Sequence, residues 1–390
     1  MAYKILYFAP VATKENPTIS PFITQRIAEL KKHGHEVVIL QFGRLNINSY
    51  FDISNLTFFN LLPKILHLLK FFIKRNKLIE YKTSFVSYKY YENLSFNSYK
   101  QFAKWFEKNN FSFIHVHFLW FAKQLPYIKR NFNIRYFITL HGSDIHEITE
   151  YDKDEISSAL LILNNAECCF FVSSYLLDHI KKLGYVGNNA KVIYNGIDFN
   201  IFSYIGEKEK SDNYTLGFVG HLNFIKRADS LPIILFLVRK VLPNTRLLIV
   251  GSEDGDLLPY IKSQICRLEL QKFVDIVPQV LPDLVANYMR EMDVLLLPSR
   301  NDGFGCVALE AQACGIGVIG SANGGIPEAI GKNGICISET ENFISDYVDA
   351  IINYLKTKHN SEEISNSVRK FSWKNCIDQE NSVYKSFFKD

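Results

Sequence analysis

Short apolar runs punctuate the chain, and between them the apolar positions fall at the three-and-four spacing of amphipathic helices. In the first half these runs occupy residues 5–9, 36–40, 113–116, 136–140, 168–172 and 192–194. Each is too short for a helix and too continuous for a half-exposed strand, so they predict strands buried on both faces. A helix is expected over residues 22–33, closed by Gly34, whose tolerance of positive φ suits a helix stop. The second half repeats the architecture without repeating the sequence. Strands are expected there at residues 215–219, 246–250, 274–277, 294–297 and 317–320, with a helix over 307–314. This alternation predicts an α/β chain with two parallel, Rossmann-like sheets in tandem. The polar stretch at residues 200–213 predicts the hinge, and hence domains of 1–205 and 206–373.

Composition narrows the class. The 390 residues are 47% hydrophobic, enough for two cores and incompatible with a disordered chain. No apolar run approaches the ~18 residues of a membrane span. The opening MAYKILYFAPVATKEN has too short an apolar core for a secretory signal, so the expected location is the cytoplasm. The seven cysteines include no C-x-x-C pair, which fits reduced, mostly buried thiols. The net charge of +4 conceals an asymmetry: residues 1–200 carry 24 Lys/Arg against 16 Asp/Glu, and residues 201–390 carry 20 against 24. A basic front half fits either a polyanionic or membrane-surface partner or a plain solvated surface.

The densest chemistry lies at residues 298–328, PSRNDGFGCVALEAQACGIGVIGSANGGIPE. Asp302 stands before the expected helix and Glu310, eight residues on, stands inside it. Gly303, Phe304 and Gly305 form the turn between, and Val307 begins the apolar helical run. A carboxylate in the first turns of a helix can accept the two hydroxyls of a ribose, while unpaired N–H groups at the helix start favour phosphate or sugar oxygens. Gly324 and Gly325 supply a second close-approach turn. A dinucleotide dehydrogenase is disfavoured, because the first strand-to-helix connection, residues 8–22, contains no G-x-G-x-x-G. His141, in the strand-end string HGSD, follows an apolar strand and so stands at a carboxyl edge, where open α/β sheets bind ligands.

The acid, the G-F-G turn and the second acid resemble the signature of glycosyltransferase family 4, retaining enzymes of the GT-B fold. Further matches are FIHVHF (113–118), TLHGSDI (139–145), FVSS (171–174), KVIYNGID (191–198) and the terminal F-S-W at Phe371, Ser372 and Trp373. The resemblance implies two Rossmann-like domains facing each other across a donor cleft, with residues 374–390 forming a helix that crosses back to the first domain. It also implies transfer of a hexosyl or N-acetylhexosaminyl group from a nucleoside-diphosphate sugar, UDP by default, with retention and without a metal or other cofactor.

By the same resemblance His141 borders the donor sugar, Lys226 neutralises the leaving diphosphate with Arg227 assisting, Asp302 faces the sugar and Glu310 takes the ribose. Gly220 and His221 belong to the phosphate loop, and Ile276 lies on the strand before the nucleobase contact. The chain departs from the family pattern at Asp302 for Glu, His221 for Arg, Gly317 for a frequent Pro, Pro278 for a common Gly, and Ser20-Pro21 where many members have glycine. His115 and His117 read as one packing histidine and one residue near the acceptor cleft. The triplets Asp152-Lys153-Asp154 and Asp254-Gly255-Asp256 read as solvated loops, so no metal ligands are assigned.

Residues 61–77, LLPKILHLLKFFIKRNK, set Leu61, Ile65, Leu69 and Phe72 against Lys64, Lys70, Lys74 and Lys77. Such a basic amphipathic helix, Leu61 to Lys77, either lies in a membrane interface or packs inward with its lysines in water. The membrane reading implies peripheral attachment at the cytoplasmic face of the inner membrane. The acceptor is then a lipid-linked or oligosaccharide chain in capsule, O-antigen or other lipopolysaccharide-type assembly, and nucleic acid is not a partner. The rival expectations are a nucleotide-sugar 2-epimerase and a catalytically silent sugar-binding subunit.

Overall fold

The computed structural model describes residues 2–10, 21–40, 96–146, 153–207, 213–251 and 257–388. The expected helix at 61–77, most of the connection 8–22, the triplet at 254–256 and Asp152 lie outside these described residues.

Two fully parallel sheets form. The first contains β1 (Lys4–Phe8), β2 (Glu36–Leu40), β3 (Phe113–His117), β4 (Tyr136–Leu140), β5 (Cys168–Phe171) and β6 (Ala190–Val192), in the order β2-β1-β3-β4-β5-β6. The second contains β7 (Tyr214–Val219), β8 (Thr245–Gly251), β9 (Val274–Pro278), β10 (Val294–Leu297), β11 (Gly317–Ser321) and β12 (Ile335–Ile337), in the order β12-β11-β10-β7-β8-β9. Strand order reverses between β1 and β3 in one sheet and between β7 and β10 in the other. Open parallel sheets bind ligands at such switch points, outside the carboxyl ends of the strands.

Ten of these strands fall where the apolar runs predict them, and β6 shares only Val192 with its expected run. β6 ends at Val192, two residues before its expected end. The additional strand is β12, whose three half-buried residues form an edge and leave too short a run to detect.

The first sheet is covered on one face by helix Pro21–Lys32 and by the carboxyl-terminal helix Trp373–Phe387, which pack against each other. The F-S-W string makes this return. Phe371 is buried against Phe304 and Tyr194, Ser372 accepts the Asn375 N–H as helix cap, and Trp373 donates its ring N–H to Gln25 at 2.9 Å. The backbone of Gly196 lies so close to Trp373 that a Cβ there would stand 2.5 Å from the indole. In the second sheet, helices Leu231–Arg239 and Phe343–Lys356 bury an aliphatic layer around Ile234, Leu235, Ile249 and Ile351. Gly317 has a local reason: a Cβ there would lie 1.7 Å from the Tyr354 hydroxyl.

Candidate active site

Two loops leave the switch point of the second sheet. The first follows β7, where Gly220 takes φ 153° and its carbonyl oxygen would stand 2.0 Å from any Cβ at Gly251. These two glycines let the ends of β7 and β8 approach closely. Exposed His221 follows, and Asn223 accepts the Lys226 backbone N–H at 2.9 Å. This turn aims the lysine at the second loop: Lys226 Nζ donates to Asp302 Oδ2 at 2.5 Å. Both side chains are part-buried, so the attraction is screened less than at an open surface. Lys226, expected at the leaving diphosphate, and Asp302, expected at the donor sugar, are thus an ion pair, and the shorter Asp302 carboxylate has a protein partner.

Arg227 is placed differently from expectation. Its backbone is left-handed at φ 52°, its guanidinium donates to Glu339 at 2.5 Å and it stacks over Phe343 at 4.0 Å. The side chain is committed to holding β12's following loop, rather than standing beside Lys226 to assist it. Arg300, which carries no family signature, has the larger part in shaping the loop. It donates bidentately to Asp229 at 3.0 Å, to the Phe224 carbonyl at 2.5 Å, and through its backbone N–H to the Ile225 carbonyl at 2.7 Å. Arg300 therefore clamps the loop bearing Lys226 from both sides.

The second loop, after β10, is crowded enough to require its glycines. A Cβ at Gly303 would lie 2.2 Å from the His141 carbonyl oxygen, and one at Gly324 would lie 2.2 Å from the Asp302 carbonyl oxygen. Phe304 is buried and stacked on Tyr194 with ring centroids 5.1 Å apart, so its side chain plugs the junction between the halves. Gly305, at φ 89°, starts helix Cys306–Ala313, which has no side-chain cap and carries half-buried Val307 in its first turn. Its leading N–H groups have the polarity to receive a phosphate.

Glu310 lies one turn further on, half-buried, and burial pushes its carboxyl up to about 7. Its carboxylate makes no hydrogen bond among the described residues. The Cys306 thiol marks where these groups converge: burial drives it up to about 12, and Glu310, Asp302 and Lys226 all act on it electrostatically, while Asn195 donates to its sulfur at 3.5 Å. Ile276 stands half-buried on β9, paired with Ile249 of β8.

The first sheet contributes His141. Asp144, one turn on, accepts the backbone N–H groups of His141 at 3.0 Å, Gly142 at 2.9 Å and Leu119 at 3.1 Å. Burial nevertheless raises the Asp144 carboxyl to about 6. His117 is fully buried, as His115 is, and hydrogen-bonds His141 instead of facing an acceptor cleft: His117 Nδ1 and His141 Nε2 are 2.7 Å apart.

Across the junction the Ser173 hydroxyl donates to the Gly303 carbonyl at 2.6 Å. Glu328, at the end of the glycine segment, accepts the N–H groups of Ser174 and Tyr175 at 2.8 Å each, and the Tyr194 hydroxyl at 3.1 Å. It thereby occupies the amino terminus of helix Ser174–Lys182 from the opposite half. The sequence signal for this contact was only the Pro-Glu pair after two glycines. Among the described residues no cluster of three or more His, Cys, Asp or Glu could hold a metal, and no helix is long and apolar enough to cross a membrane.

Residues 22–200 match the family model described as Glycosyltransferase Family 4, and residues 213–357 match Glycosyl transferases group 1. An uncharacterised glycosyltransferase of Methanocaldococcus jannaschii is 28% identical over 300 residues, 74% of this chain and 79% of its own. A D-inositol 3-phosphate glycosyltransferase of Mycobacteroides abscessus is 28% identical over 206 residues, and the match spans 45% of that relative and 50% of this chain. Among solved structures, Anabaena HepE in complex with UDP and glucose aligns with a TM-score of 0.69 at 18% identity, covering 98% of this chain and 100% of that one. The lipopolysaccharide outer core galactosyltransferase WaaB aligns with a TM-score of 0.67 at 18% identity over the whole of both chains.

Proposed function

Because this chain belongs to the family 4 glycosyltransferases and has the GT-B fold, we propose that it moves a hexosyl or N-acetylhexosaminyl group from a UDP-sugar to a lipid-linked saccharide in surface-glycan assembly. The observation that carries the donor reading is the convergence of Lys226, Asp302 and Glu310 around the uncapped helix Cys306–Ala313 at the sheet's switch point. HepE, of the same fold, holds UDP and glucose in its structure, which supports the choice of donor class. WaaB supports the acceptor class, as does the basic segment 61–77.

In this reading the ribose hydroxyls donate to Glu310, and the diphosphate meets the leading N–H groups of helix Cys306–Ala313. As the glycosidic bond breaks, negative charge grows on the departing UDP and positive charge on the sugar ring. Lys226 neutralises the first without a metal, and the Asp302 carboxylate, which Lys226 holds in place, faces the second. His141 orients a sugar hydroxyl, and the acceptor attacks from the face the diphosphate leaves, its hydroxyl proton passing to the departing diphosphate oxygen, with configuration retained.

The test is release of UDP, GDP or dTDP from a panel of nucleotide-sugars, with and without membrane lipid extract, in the intact chain and in Glu310→Ala. Release that needs the extract and disappears in the variant is expected. Isomerised donor without release would indicate an epimerase, and neither product from any donor would indicate a silent subunit.

A further inference from the structure

Alternation along β3 and β4 puts His115, His117, Thr139 and His141 on one face of the first sheet, in a stripe that climbs to the carboxyl edge. The stripe begins in a buried charged pair. Arg26, on helix Pro21–Lys32, donates to Glu380 of the carboxyl-terminal helix, and the Tyr384 hydroxyl donates to the same carboxylate. Burial alone would raise the Glu380 carboxyl, but the Arg26 guanidinium and donors from His115 and Tyr384 hold it at about 2. It is therefore an acceptor only, and that fixes proton positions outward from it. With its hydrogen on Glu380, the Tyr384 oxygen must accept from His115 Nδ1, so His115 Nε2 is bare and accepts the Thr139 hydroxyl at 2.7 Å.

The next rung is His117, stacked on His115 with centroids 4.8 Å apart and on His141 at 5.0 Å. One proton occupies the His117 Nδ1 to His141 Nε2 bond, and the two remaining ring nitrogens, His117 Nε2 and His141 Nδ1, have no hydrogen-bond partner among the described residues. Whichever ring donates, one N–H is left over, and the question is which site tolerates it. Tyr7, whose ring lies 4.8 Å from that of His117, has a hydroxyl that can donate or accept, but the Arg26 guanidinium already faces its oxygen as a donor, which leaves its own O–H to be given away; Arg26 Nε and Nη1 are donors only. A surplus of donors favours a bare nitrogen at His117 Nε2 and disfavours a further N–H, since a buried N–H without an acceptor forfeits the hydrogen bond it makes in water. His141 Nδ1 is enclosed too, but its residue is half-buried overall and its main chain touches the Gly303 loop, so this is the N–H that a sugar entering the proposed donor site meets.

We infer that His117 is a positioning residue: its Nδ1–H donates to His141 Nε2, so that His141 carries its own proton on Nδ1 and meets the donor sugar as a neutral hydrogen-bond donor. The inference rests on the donor site proposed above and goes further, because it assigns the form of His141 and excludes a general-base role for it. Burial, with the positive Arg26 and the neighbouring histidines, keeps both rings well below the ordinary imidazole range. Among the described residues the titratable groups near the pair are Tyr7, Arg26 and His115, with Glu380 and Tyr384 beyond His115 and Asp144 on the His141 backbone.

The decisive measurement needs no variant: nitrogen chemical shifts of the His141 ring in the folded full chain, from pH 6 to 8. Protonated Nδ1, bare Nε2 and no titration across that range are expected; protonated Nε2, or an imidazolium, overturns the inference. Kinetics then separates positioning from packing. His117→Asn restores a donor near the Nδ1 position and should keep kcat within about threefold, whereas His117→Leu loses one hydrogen bond and should lower kcat about tenfold. Binding of UDP alone, which lacks the sugar, should be the same in both variants and serves as the folding control. Equal kcat in Asn and Leu variants that bind UDP normally sinks the positioning role. Failure of the wild-type chain to bind UDP would instead sink the donor-site reading, leaving the ring assignment standing on its own spectrum.

Discussion

The two sheets share a fully parallel topology but are filled with different materials. The face of the first that receives the carboxyl-terminal helix holds Arg26, His115, His117, Glu380 and Tyr384 among aromatic rings, all fully or nearly fully buried. The corresponding layer of the second, beneath helices Leu231–Arg239 and Phe343–Lys356, is aliphatic, with tyrosine hydroxyls as its main polar atoms. An oily layer holds strands together through area removed from water and is indifferent to the exact partner of each group. A buried polar stripe is costly unless every member is matched, and in return it fixes proton positions up to the cleft. Chemistry in the second half sits on loops at the strand ends, whereas in the first half it extends through the core.

The strongest way to sharpen this contrast is to break the charged pair. Glu380→Ala strands the Arg26 guanidinium without its carboxylate and should cost about 3–5 kcal/mol, measured by denaturant unfolding. A joint Arg26→Met, Glu380→Leu change should recover most of that, because replacing a buried pair by apolar groups is close to neutral. The pH response has a definite sign. Glu380 is held below its unfolded value, so its contribution is complete above about pH 4.5 and is lost as pH falls toward 2. If the double variant is no more stable than Glu380→Ala, the stripe is not organised around that pair.

The second half offers the milder counterpart. Tyr347 accepts the Leu297 N–H at 3.0 Å and donates to the Ile319 carbonyl, tying the ends of β10 and β11 together. Tyr347→Phe leaves two buried backbone groups short of a partner and should cost about 2 kcal/mol in thermal unfolding. No compensating second substitution is expected to restore it, since its partners are main chain. A cost near zero would mean that the aliphatic layer can close over the gap.

These interiors also explain what could be read from the sequence. The aliphatic runs gave away β7, β8, β10 and β11, because continuous hydrophobicity is what a doubly covered parallel strand requires. Asp302, Glu310 and the glycines were visible because their spacing is local, within one turn and one helix. Arg300 and Glu328 were not visible, since each acts on residues tens or hundreds of positions away and has no local pattern of its own. Arg227 misled because adjacency to Lys226 suggested a shared task, whereas a left-handed backbone turns the two side chains to different partners. The His-x-His spacing at 115 and 117 did place both rings on one sheet face. Nothing in that spacing showed that Thr139 and His141 would be their neighbours on the next strand.

The smallest effect concerns Glu310, a carboxylate of the second half that burial leaves without a hydrogen-bond partner among the described residues. Glu310 is held near pH 7 against an unfolded value near 4.5, so the folded chain binds its proton more tightly than the unfolded chain. Stability is therefore unimpaired below about pH 4.5, falls as pH rises toward 7, and stays lowered above that. Glu310→Gln removes the ionisation and should be more stable than the parent chain at pH 8 by about 1–2 kcal/mol, the full shift being discounted for partial exposure, with the difference vanishing near pH 4.5. A ligand whose hydroxyls donate to this carboxylate favours the charged form. UDP binding should then expel protons between pH 6 and 7, readable as a dependence of binding heat on the buffer's ionisation enthalpy, and Glu310→Gln should bind weakly with no such dependence. A variant that is less stable than its parent at pH 8 would mean that Glu310 is satisfied within the fold, and the site would lose its reason for holding an unpaired acid. The polar stripe of the first half makes the opposite prediction for Glu380, whose loss can only destabilise near neutral pH, because one acid is matched by the protein and the other is kept for a ligand.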